Sequence, residues 1–161
     1  MPAETYSYVQ EVVANLKAEG DSFFADYLRG VTLSHRDWII DNFKRAGQRS
    51  HWRQFFSEFD AIICPSAPTL AFPHDHRPNM EERIISIENE TLPYRNLQIW
   101  PGIAIGPGLP ATAIPVGMSN DGLPIGVQII GAYLDDRTTI KLAELIEREF
   151  GGFRPPQSLR S

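Results

Sequence analysis

The stretch "GLPATAIPVGMSNDGLPIGVQIIG", Gly108 to Gly131, decides the fold. Ala111 to Val116 and Ile125 to Ile130 read as β-strands: short apolar runs, rich in β-branched residues, bounded by glycine and proline. Asn120-Asp121-Gly122 between them favours a tight hairpin turn. Both runs are apolar on successive residues, which predicts a sheet covered on both sides. Gly108 and Gly122 read as backbone geometry, and Pro110 and Pro124 as fixed turns where each strand begins. Gln128 interrupts the second strand. A buried amide must be hydrogen-bonded, so a structural role facing a neighbouring loop is expected for it.

Upstream the pattern is helical. Tyr6, Val9, Val12, Val13 and Leu16 recur at helical spacing over Ala3 to Lys17, and Gly20 stops them. A second helix is predicted from Asp21 through Leu28 to Gly30. Ser34-His35-Arg36-Asp37 resembles a capping box, opening a long helix that runs towards Phe59. Its aromatic stripe (Trp38, Phe43, Trp52, Phe55, Phe56, Phe59) reads as core, with part of it open to an interface role. "DAIIC" (Asp60 to Cys64) is a short buried strand stopped by Pro65. The segment 65–80 is a proline-rich loop. Arg83 to Ile87 is a further strand with a turn at Asn89-Glu90. Leu92 to Ile105 reads as helical, with a kink or break expected at Pro101-Gly102. A closing helix runs from Asp135-Asp136 to Phe150, and a loose tail covers 151–161. The expectation is one α/β domain over 1–161: helices, then part of a mixed sheet of about four strands, covered by helices. A sheet apolar on both faces is more than this chain can easily cover alone.

Composition narrows the function. The 161 residues are 42% hydrophobic and carry a formal charge of −5. That lacks the basic footprint of a nucleic-acid binder, and no Lys/Arg run suits an anionic membrane surface. No apolar run approaches the roughly 20 residues that span a bilayer. A single cysteine, Cys64, allows no internal disulfide, so a cytoplasmic setting is expected.

Chemistry is sparse. Gly117-Met118-Ser119-Asn120-Asp121 falls short of the G-x-S-x-G elbow and lies in a turn. Cys64 faces the loop holding His74 and His76, which admits a Cys–His hydrolase; the plainer reading is a small buried residue. His74-Asp75-His76 puts two imidazoles on one side of an extended loop. A zinc site takes four ligands and no third Cys or His lies near in sequence, so a solvated loop and no metal are expected. No phosphate loop is present and no cofactor is expected.

Four blocks in order resemble the amidase signature family: "FDAIICPSAPTLAFPHDH" (Phe59 to His76), "YRNLQIWPGIA" (Tyr94 to Ala104), "GLPATAIPVG…DGLPIGVQIIG", and "LDDRTTIKLAELIE" (Leu134 to Glu147). The resemblance covers roughly residues 30 to 150. It implies the C-terminal third or so of a serine hydrolase that cleaves carboxamide C–N bonds. The family's serine nucleophile and second serine lie in a G-G-S-S-G run, with a lysine as base. Here the only Gly-Gly is Gly151-Gly152, and no two serines are adjacent. Lys17, Lys44 and Lys141, the only lysines, fall among polar neighbours on predicted helices, so none is a buried base. No catalytic residue is therefore assigned, and the chain alone is expected to be inactive.

The resemblance also implies one wall of the acyl pocket. In glutamine-handling members a polar residue lies about seven positions before the Asn of an N-x-x-G-x-P run. That polar position is Gln98 here, while Ile105 replaces the Asn. Gln98, Trp100 and Ile103 are the substrate-wall candidates. A core role for Trp100 and a solvated one for Gln98 fit the residues equally well. Expected partners are the remaining catalytic part of an amidase, or a second copy in a dimer, with a small carboxamide as substrate. A non-catalytic self-association module is the alternative.

Overall fold

Helix α1 (Phe23–Val31) and helix α2 (His35–Phe55) meet at a two-hydrogen-bond junction. Ser34 is extended there (φ −62°, ψ 153°), and its Oγ accepts from the Asp37 N–H at 3.1 Å and donates to the Asp37 carboxylate at 2.6 Å. One orphan donor of the first turn is thereby satisfied, and a carboxylate sits at the positive end of the helix dipole. The structure, a computed structural model, describes residues 23–155. The helix expected over Ala3 to Lys17, Lys17 itself and the tail after Pro155 lie outside them.

The 21 residues of α2 make it about 31 Å long. None of its residues is buried, and Trp38, Phe43 and the following Phe59 are exposed. The aromatic stripe is therefore not one core face, as the periodicity suggested. Only its last turn meets the sheet: Trp52 and Phe56 stack with centroids 5.8 Å apart, and Phe55 stands edge-on to both.

Three strands make the central sheet, in the order β1 (Ala61–Pro65), β5 (Pro124–Gly131), β4 (Ala111–Met118). Both pairings are antiparallel, with Cys64 opposite Gln128 and Thr112 opposite Ile129. A separate hairpin joins β2 (Ile84–Ile87) to β3 (Glu90–Pro93). The described residues thus hold five strands, all antiparallel in their pairing, against an expected four or so in a mixed sheet. The β4–β5 loop is too short for anything but an antiparallel return. The β2–β3 turn falls on Glu88 (φ 54°) and Asn89, one residue earlier than predicted.

The β4–β5 loop runs from Ser119 to Leu123, with Asn120-Asp121-Gly122 at its tip. Gly122 N–H donates to Ser119 O at 3.0 Å, and Ser119 N–H to Leu123 O at 2.8 Å. Gly122 lies at φ 76°, the left-handed position that such a loop reserves for glycine. Pro115 is mid-strand, where it removes a ladder donor. It is tolerated because β4 is an edge strand, and a register shift follows between Pro115 and Gly117.

Helix α4 (Asp136–Phe150) covers one face of the sheet. Thr139 is 1% exposed; its Oγ1 accepts from Thr112 Oγ1 at 2.8 Å and donates to Asp136 O at 2.9 Å. The opposite face carries Cys64 and Ile130, packed with Ala104, Leu109, Trp52, Phe56, Ile62, Trp100 and Ile103. Neither cover is complete among the described residues. Ala111, Ala113, Pro115 and Met118 are exposed on β4, and Ile63 is exposed on β1. α4 packs on β4 and β5, but parts of both edge strands stay uncovered.

Candidate functional site

The pocket-wall candidates lie on a short helix. After β3, Tyr94–Gln98 forms a 3-10 turn that leads directly into α3 (Ile99–Ile105). Pro101 does not break α3, as the sequence suggested. It occupies the first turn, where an N–H has no intrahelical acceptor to lose. α3 ends in a glycine-rich turn: Gly108 N–H and Leu109 N–H both donate to Ala104 O at 2.9 Å, and Gly108 lies at φ 73°. Pro110 then enters β4, its carbonyl accepting from Gly131 N–H at 3.1 Å.

Two arginines of α2 clamp this turn. Arg45 Nε donates to Gly106 O at 2.9 Å and Arg49 Nε to Pro107 O at 2.6 Å. The Arg49 guanidinium also lies 4.2 Å from the Tyr133 ring centre, a cation–π contact to the segment between β5 and α4. A Cβ added at Gly108 would stand 3.3 Å from both guanidinium ends. The clamp joins residues about sixty positions apart, and no motif pointed to it. The available signal was the i, i+4 arginine pair on one helix, together with a turn whose carbonyls need donors.

The candidates are dispersed by this arrangement. Trp100 and Ile103 are partly buried against the cluster of Cys64, Ala104, Leu109 and Ile130. Gln98 is exposed at the start of α3. Ile103 also lines a cleft of about 300 Å³ between α2 and α3, with Gln48, His51, Trp52 and Pro107. Gln128 is 6% exposed, and its Nε2 donates to Pro65 O at 3.1 Å. Pro124 begins β5 opposite Met118.

A larger groove of about 880 Å³ lies elsewhere, between the proline-rich loop and β2. Phe72, His74, His76, Arg77 and Ile85 line it. Asp75 holds the loop in shape: it accepts from Arg77 N–H at 3.1 Å and from Arg77 Nε at 2.9 and 3.0 Å, and it pairs with Arg77 Nη2. The Arg77 hydrogen bonds keep the Asp75 carboxyl well below the usual carboxylate range, against the opposing effect of desolvation. Cys64 is not in this groove. It is buried in the core cluster, while His74 and His76 are exposed and stack on each other. The structure does not bring the Cys–His pair together. The two described lysines are surface groups: Lys44 Nζ pairs with Asp41 and Lys141 Nζ with Glu144, each at 2.7 Å. Among the described residues no group of three or more His, Cys, Asp or Glu is placed to hold a metal, and no helix is long and apolar enough to cross a membrane.

Comparison with known proteins supplies the context. The amidase family model matches residues 27–140. A glutamyl-tRNA(Gln) amidotransferase subunit of an Exiguobacterium species is 33% identical over 161 residues, 96% of this chain and 30% of that protein. The corresponding subunit of Rickettsia bellii is 38% identical over 124 residues, 76% of this chain and 21% of that one. The chain therefore spans under a third of the length of these relatives. The crystal structure of an amidase superposes with TM-score 0.61 at 22% identity, covering 88% of this chain and 32% of that one. The glutamyl-tRNA(Gln) amidotransferase subunit from Thermotoga maritima gives 0.55 at 25% identity, covering 92% and 34%.

Proposed function

The chain belongs to the amidase family, and from that premise we propose that it is the C-terminal segment of a carboxamide C–N hydrolase, supplying scaffold and one pocket wall but no reacting group. One observation carries the proposal. The family's chemistry needs a base within hydrogen-bond reach of a nucleophile. Lys44 and Lys141 are instead tied to surface carboxylates, and the sequence holds no paired serines. What this segment has in place of such groups is shape: α3 held by its arginine clamp, with Trp100 and Ile103 on the core side and Gln98 at its exposed start. An aromatic and aliphatic wall suits an apolar acyl group. The proposal includes a cytoplasmic setting, in line with the single cysteine.

The test is ammonia release from benzamide and acetamide by the purified 161-residue chain. No release above blank is expected. Activity that co-elutes with the chain and is lost on Lys44→Ala or Lys141→Ala overturns the reading. In a complete amidase carrying this segment, Trp100→Ala should raise KM for the aromatic amide more than for acetamide.

Self-association is the second reading. Met118, at the end of edge strand β4, is 56% exposed and Ile105, at the end of α3, is 64% exposed, and such apolar surface favours a partner. The remainder of an amidase or a second copy would satisfy it. Light scattering after size exclusion distinguishes them, and a strict monomer at high concentration removes the dimer.

A further inference from the structure

We infer that His74 and His76 form an open two-imidazole site for a borderline divalent cation such as Ni²⁺, Cu²⁺ or Zn²⁺. The sequence alone argued against a closed zinc site, and an open two-donor site is a different object. Both histidines are exposed, and their rings stack with centres 5.6 Å apart and planes 13° from parallel. A cation bound about 2.0–2.1 Å from one nitrogen of each ring would hold the centres about 5 Å apart. The nitrogens of stacked rings lie in nearly parallel planes, so binding takes a small approach and a turn of the rings about χ2, a broad torsion that exposed rings can explore.

The loop is already set for this. Asp75, between the histidines, is committed to Arg77 through its backbone N–H and its guanidinium. Arg83 Nε in turn donates to Arg77 O at 2.7 Å, so the backbone just after the pair is pinned to the entry of β2. Donors juxtaposed before binding spare the ligand the cost of ordering them. With Asp75 engaged, the available donors are imidazole alone. That favours nickel, copper and zinc over magnesium and calcium, which take oxygen ligands. Two protein donors leave the other positions to water, so the metal is exchangeable and far weaker than structural zinc.

The experiment is calorimetric titration of the tag-free full chain with NiCl₂, and with MgCl₂ in parallel. One Ni²⁺ per chain is expected, with no Mg²⁺ isotherm. His74→Ala and His76→Ala should each weaken Ni²⁺ by about tenfold or more. The double variant His35→Ala, His51→Ala should bind as the parent does. All four positions are exposed, so folding is not at issue, and unchanged far-ultraviolet circular dichroism verifies it. Absence of Ni²⁺ binding, binding that survives loss of both His74 and His76, or an equal isotherm with Mg²⁺ overturns the proposal.

Discussion

Gly131→Ala tests the packing of α4 on the sheet. Gly131 ends β5, and its φ is not in the left-handed region, so its backbone accepts alanine. The obstacle is space. A Cβ there would stand 2.6 Å from Thr139 Cγ2, whereas carbon atoms pack at about 3.5–4.0 Å. Thr139 cannot simply turn away, because its Oγ1 bridges Thr112 and Asp136 O. Relief requires either the loss of both hydrogen bonds or a shift of the helix. Overpacking of this kind costs about 1–3 kcal/mol. Loss of chain freedom in the unfolded state returns about 0.4–1 kcal/mol. A net destabilisation of about 1–2 kcal/mol follows, or a fall in Tm of roughly 3–6 °C for a chain of this size. Thr139→Ser removes the offending methyl and keeps the hydroxyl, at about 1 kcal/mol for the lost group. In the Thr139→Ser background, Gly131→Ala should then cost almost nothing, a coupling of about 1–2 kcal/mol in urea melts. A Gly131→Ala cost of zero, or one that is equal in both backgrounds, refutes the reasoning.

Three further outcomes follow from the same geometry. Gly108→Ala should cost about 1–2 kcal/mol, because φ 73° is left-handed and the new Cβ meets both clamping arginines; equal urea midpoints would contradict this. Gln128→Leu keeps the volume but removes the hydrogen bond to Pro65 O, and should lower stability by about 1 kcal/mol; a gain would show that the bond is worth nothing. Asp75 has a depressed folded pKa, so its contribution is complete above its ordinary value of 3.8 and is lost as pH falls below that. Urea midpoints between pH 2.5 and 5 should therefore fall more steeply for the parent than for Asp75→Asn, with no pH dependence from this group between pH 5 and 8; parallel curves would refute it.

Much of the fold was legible because its causes are local. The Ser34 cap, the Asn-Asp-Gly loop and the helix ending at Gly151 each rest on a few adjacent residues. The shift of the β2–β3 turn to Glu88-Asn89 shows the limit, since Glu88 takes a left-handed conformation that sequence preference does not assign to it. The site was less legible. Nothing near Arg45 or Arg49 indicates that their partners are the carbonyls of Gly106 and Pro107, about sixty residues later. Likewise, Trp38 and Trp52 share one periodic stripe, but only Trp52 meets the sheet.

The sequence by itself did not mark Glu90–Pro93 as a strand. It determined the long helices from Ser34 and Asp135, the strands β1, β4 and β5, where the β4–β5 hairpin turns, and that paired serines are missing from this stretch. These follow from periodicity, turn chemistry and residue identity, none of which needs a distant partner. The tertiary structure alone decided that β1 pairs with the far edge of β5, that α3 is held by two arginines of α2, and that the ends of the aromatic stripe and the outer strands stay bare. Those outcomes depend on which surfaces meet, and one-dimensional spacing does not encode which of several similar apolar faces finds a cover.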